Sequence, residues 1–183
     1  MVRSLILFLH VASAMTIVAA FGVEGLALLQ LRRARSIPDL RDALGNFRYV
    51  QWVGASGLIG TVVTGIYLAS AYWRWQGAWM GTGFAALVVN AIIGATVTSR
   101  PVTVARRGAA EGTAMAAIDA LRAKLALSFA LRAAIVVGIV FLMTVKPATW
   151  PTSLLDVGAA AALGLLISLP LLRQPAPRSD GQR

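Results

Sequence analysis

The sequence contains no cysteine. Without thiols it can form no disulfide, no thiolate metal site and no cysteine-held iron–sulfur cluster. Nor can it attach a c-type haem through its own side chains. It has a single histidine, so one copy cannot supply a pair of imidazoles. Charge is scarce as well. Asp, Glu, Lys and Arg make up 13% of the 183 residues, about half the usual share, and only seven are acidic. There is no HExxH, no Walker loop and no nucleophile elbow with a histidine near it. Nor does the sequence contain the paired carboxylates of a hydrolase. No catalytic residue is assigned.

What the chain has is apolar length. Five runs stand out: Leu5–Leu31, Val50–Ala71, Trp79–Thr98, Ala126–Val145 and Leu154–Leu172. A helix rises ~1.5 Å per residue, so ~20 apolar residues cross the ~30 Å hydrocarbon layer. The expected fold is an all-α membrane protein, a bundle of five transmembrane helices. Residues 1–173 are expected to form one transmembrane domain, and 174–183, rich in proline and polar groups, a mobile cytoplasmic tail. Ala12-Ser13-Ala14 resembles a signal-peptide cleavage site, but the apolar run continues to Leu31. That length predicts an uncleaved first span.

The net charge of +10 lies in the loops between runs. Such a pattern follows the positive-inside rule and argues against nucleic acid as the partner. Stretches 32–48 and 100–125 and the tail from 173 carry thirteen Lys and Arg. The opposite side carries Arg3, Arg74 and Lys146. The N-terminus is therefore expected outside and the C-terminus in the cytoplasm, with anionic lipids attracted to the cytoplasmic face. The location expected is a cell inner (plasma) membrane, crossed several times. Trp73, Trp75, Trp79 and Trp150 fall at the outer interface, where an apolar ring with a wet N–H is common. Helix starts are expected at Pro38 and near Gly112. Small residues recur along the spans, at Gly54, Gly57, Gly60 and Gly65 in the second, Gly94 in the third, and Gly158 and Gly164 in the fifth. They let backbones approach, and dispersion then holds the helices together.

Polar groups inside spans are costly, so four positions carry the functional interest: His10, Glu24, Asn90 and Arg132. Glu24 and Arg132 each lie ~10 Å from the basic interface, which predicts an intramembrane ion pair. Asn90 is expected to hydrogen-bond a neighbouring helix. His10 lies near the other face, and Met80 and Met143 lie closest to it in depth. An imidazole with two thioethers is a donor set soft enough for copper. A haem b on His10 would need a methionine, water or a second subunit opposite.

The opening Leu7-Phe8-Leu9-His10-Val11-Ala12-Ser13-Ala14-Met15 resembles a pattern shared by several bacterial membrane families. These are the copper-resistance CopD-like proteins, the HemJ-type protoporphyrinogen oxidases, and small predicted integral membrane proteins of unknown function, closest in size. The HemJ resemblance implies a tie between His10 and haem. Downstream, Thr16-Ile17-Val18-Ala19-Ala20 replaces the tryptophan-then-glycine continuation of that pattern. The expected function is a non-catalytic accessory or packing subunit, working beside other membrane subunits or as a homo-oligomer, with no cofactor of its own. Two alternatives stand: a haem- or copper-binding redox protein centred on His10, and a small transporter using Glu24 and Asn90.

Overall fold

Ser36 sets the start of the second helix. Its Oγ accepts from the Asp39 backbone N–H at 3.3 Å, while the Asp39 carboxylate accepts from the Ser36 N–H at 3.2 Å. This reciprocal box satisfies two donors that a helix start would otherwise leave open, and Pro38 sits in the first turn, where no N–H is needed. The expected start at Pro38 is thus one residue late.

The computed structural model describes residues 1–111 and 118–173. They form five long helices: α1 (Val2–Arg33), α2 (Ile37–Trp73), α3 (Ala78–Ala110), α4 (Ile118–Val145) and α5 (Trp150–Arg173). All five are long and apolar enough to cross a membrane. The tail at 174–183 and the helix start expected near Gly112 lie outside the described residues.

All five helices run past the apolar runs that announced them, at one end or both. α3 does not stop at Thr98 but continues to Ala110 through Arg100 and Pro101. Proline lacks an N–H and its ring crowds the preceding turn. A wide π-helical turn over Gly94–Ser99 accommodates it without ending the helix. A second π turn, Ala69–Trp73, closes α2.

Neighbouring helices pair as two tight antiparallel hairpins. In the first, Gly54, Gly57, Gly60 and Gly65 of α2 lie against Ala20, Ile17, Ser13 and His10 of α1. In the second, Gly138 of α4 meets Ala160, and Gly164 of α5 meets Ala134 and the Ala130 carbonyl. α1 touches α4, and α3 packs on α4 and α5 while its extension packs on α2, so the hairpins are joined both directly and through α3. Between their ends α2 and α3 scarcely touch; they meet where the extension of α3 crosses the start of α2 and where Trp73 meets Trp79 beside the connecting turn.

The densest packing is at the basic end. Leu31, Leu40, Leu44, Phe47, Val102 and Leu125 are almost fully buried there. Water surrounds that end, so burial is driven by the hydrophobic effect; between lipid tails that drive is missing. Two arginines seal the same end. Arg122 donates to the Leu31 and Ala34 carbonyls at 2.9 and 2.6 Å, and Arg41 to the Ala109 and Ala110 carbonyls at 3.0 and 3.2 Å. Each satisfies open carbonyls at a helix C-terminus and meets the negative end of its dipole.

Candidate functional site

The gap between α2 and α3, backed by α1 and α4, holds two cavities of about 650 and 760 Å³. The first lies toward the tryptophan end and the second toward the basic end. Ile17 and Leu87 line both. With Val136, and with Phe21, Leu58, Val62 and Ile139 packed on them, they form the apolar partition between the two.

The upper cavity is organised around His10. Nδ1 lies 3.1 Å from the Thr61 carbonyl and 3.0 Å from Thr64 Oγ1. A carbonyl can only accept, so Nδ1 carries the proton. The Thr64 hydroxyl spends its own hydrogen on the Gly60 carbonyl, leaving Oγ1 free to accept from the ring. In the neutral ring Nε2 is then a bare acceptor. A Cβ at Gly65 would stand 3.1 Å from His10 Cε1, so the ring lies close against α2. The remaining wall is almost wholly apolar and includes Met80, Met143, Trp73 and Trp79.

Lys146 stands at the mouth. It ends α4 in a left-handed conformation, φ 54°, with its N–H on the Leu142 carbonyl at 2.9 Å. Its ammonium lies 5.6 Å from the ring centres of both Trp73 and Trp79, a cation–π contact that ties the end of α4 to the α2–α3 turn. The two indoles meet edge-on at 5.7 Å.

The lower cavity contains the predicted ion pair. Arg132 Nη2 donates to Glu24 Oε1, and the two side chains are 11% and 3% exposed. The guanidinium also lies 5.1 Å from the centre of the Phe21 ring, and a Cβ at Gly94 would stand 3.1 Å from its Nη1. Absence of a side chain at 94 is what lets α3 pass the arginine. Arg132 Nε has no partner among the described residues. Thr98 and Ser128 share a hydrogen bond of 2.9 Å where α3 leans on α4.

Asn90 departs from expectation. It is 7% exposed, yet among the described residues Oδ1 hydrogen-bonds to no neighbouring helix. The reason is the gap: Asn90 lines the lower cavity, where α2 has turned away from α3.

The structure therefore divides the sequence's candidates into two sets. His10, Met80 and Met143 line the upper cavity; Glu24, Asn90 and Arg132 line the lower. Sequence reasoning missed Thr61, Thr64 and Lys146. The Thr61/Thr64 spacing of three, at a depth matching His10, was the available signal for the first two. No signal marked Lys146, whose place depends on where α4 ends. No protein family model, curated protein or solved structure matches this chain.

Proposed function

We propose that this chain is a non-catalytic accessory protein of a bacterial inner membrane that holds a lipophilic group beside His10. One observation carries the reading. His10 spends Nδ1 on α2, which leaves Nε2 a bare acceptor in the neutral ring, and the residue lines an apolar cavity of the size that small ligands occupy. An apolar wall with one directional acceptor suits a hydrophobic molecule bearing a hydroxyl or N–H donor. Lateral access between α2 and α3 suits a molecule already dissolved in the bilayer. Its partners would be other membrane subunits or a second copy of the chain, with anionic lipids at the basic face.

A second reading is favoured by Met80 and Met143, which line the same cavity as His10. Imidazole nitrogen with thioether sulfur fits cuprous copper, and His10 with Met80 or Met143 would also be donors that could hold a haem b. Either group would supply one-electron transfer when bound. This chain's own contribution would be the Thr61 carbonyl, which fixes the ring's tautomer and aims Nε2.

One sample separates the readings. The protein is purified in lipid nanodiscs, its small molecules are identified by mass spectrometry, and its spectrum and metal content are measured. The expected result is a lipophilic compound near one equivalent and no Soret band. Gly83→Leu should deplete it, because a side chain there meets only the flexible tip of Met143 and so fills the cavity. A Soret band or stoichiometric copper, lost in His10→Ala, would establish the second reading. An empty cavity in the wild type would remove both.

The proposed orientation places the N-terminus outside and the basic end in the cytoplasm, from the thirteen-to-three distribution of Lys and Arg. With cysteine introduced at Ser36 or Gln76, an impermeant thiol reagent on intact cells should label position 76 and spare 36. The reverse pattern would invert the topology.

A further inference from the structure

We infer that the lower cavity is a binding site for an organic monoanion with an apolar body, such as a hydrophobic carboxylate, admitted from the basic side of the membrane. It is independent of the His10 reading, since the Ile17–Leu87 partition separates the two cavities.

The first support is Asn90. A side-chain amide buried to this degree in a membrane span is retained at a cost unless something bonds it. Among the described residues Oδ1 has no partner, and Asn90 lines the cavity with that oxygen covered just behind the wall. Turning the amide puts Nδ2 in the same place as a donor. The second support is Arg132 Nε, a buried donor also left without a partner. Two unspent polar groups thus belong to residues that line one cavity.

Charge decides what they would bind. The lining carries Arg100, Arg107 and Arg132 against Glu24 alone, and Glu24 is already spent on Arg132. Arg100 and Arg107 are seven residues apart, two turns of one helix face, and both are exposed and line the cavity at its basic end. Neither has a carboxylate partner among the described residues. A cation would meet two uncompensated positive charges on entry; an anion would be drawn in by them. Phe47 and Val50 give the wall apolar surface on the arginine side of Asn90, and Leu58 and Leu87 close it beyond. That wall rejects a bare inorganic ion and favours a hydrocarbon or aromatic body.

The geometry assigns roles accordingly. Arg100 and Arg107 attract the anion, while Asn90 and Arg132 hold its oxygens. The apolar wall takes the body. Glu24 fixes Arg132 in place and is a positioning residue here.

Three isosteric probes test this by calorimetry on the protein in zwitterionic nanodiscs: 2-naphthoate, 2-naphthamide and 2-naphthylmethylammonium. Naphthoate should bind at least about tenfold tighter than the other two, since unpaired buried groups discriminate strongly for the ligand that satisfies them. Its affinity should fall with added salt, and less steeply in the Arg100→Gln, Arg107→Gln double variant. Asn90→Leu should weaken naphthoate at least about fivefold without lowering the melting temperature, because an apolar side chain replaces an unpartnered amide. A merely structural Asn90 would give the opposite, a lowered melting temperature with affinity intact. His10→Ala should leave naphthoate binding unchanged. Equal binding of all three probes, or full naphthoate affinity in Asn90→Leu, would overturn the inference and leave a cavity into which apolar molecules simply partition.

Discussion

Arg132→Met is expected to lower the unfolding free energy by about 3–5 kcal/mol, the usual cost of stranding one member of a buried ion pair. Glu24→Gln should cost at least as much. The two losses differ in kind. A lone carboxyl can take up a proton and become neutral, whereas a guanidinium stays charged under all ordinary conditions. Arg132 without its carboxylate is left with the Phe21 face and the cavity. The double variant Glu24→Gln, Arg132→Met removes both charges and should recover much of the loss, so the coupling energy of the cycle is large. Reversible unfolding in bicelles measures all four corners. Strictly additive losses would show that the pair contributes no mutual stabilisation, despite the contact between Nη2 and Oε1.

That pair was legible in the sequence because depth is a one-dimensional quantity. Counting residues from the basic interface placed Glu24 and Arg132 at one level, and the bilayer makes an unpaired charge there expensive. The five spans were legible for the same reason, since hydrocarbon thickness fixes the length of an apolar run. Lateral neighbours were not. Asn90 has the right depth for several helices, and only the divergence of α2 from α3 explains why its amide has no partner. His10, Met80 and Met143 could be ranked by depth, yet their meeting on one wall depends on how α1, α3 and α4 are arranged around the cleft.

Helix ends were misread where charge was taken as a stop. Arg100 and Pro101 look like the end of a span, but the helix continues because its far side packs on α2. Val102 and Ala109 are buried there, and Arg41 caps the last turn. Those contacts also explain where the molecule is firm and where it is open. At the basic end water drives side chains together, and the core of Leu40, Leu44, Phe47 and Leu125 locks α1, α2, α3 and α4 to one another. Further into the membrane, contact depends on shape alone, and the α2–α3 gap carries no cost as long as lipid or a ligand can fill it.

Shape dependence of this kind gives the last expected result, at the α4–α5 hairpin. The sequence offers Gly158 and Gly164 as equivalent small residues on one helix, but their surroundings differ. A Cβ at Gly158 meets nothing within 4 Å. At Gly164 it would stand 2.5 Å from the Ala134 Cβ and 2.9 Å from the Ala130 carbonyl oxygen. Carbon atoms in contact prefer about 3.5–4.0 Å, so α5 must move off α4 by roughly an ångström. The obstruction includes backbone, which cannot rotate away. α5 has little else to hold it, since its other contacts are a smaller set with α3. Gly164→Val should therefore cost about 1–3 kcal/mol and loosen α5 selectively. Gly158→Val should be close to neutral, with the new side chain facing lipid. Crosslinking between cysteines introduced at Gly138 and Ala160, which face each other in the same hairpin, reads the separation and should fall in Gly164→Val alone. Equal effects at both positions would mean that α5 is held by something other than the close approach at Gly164.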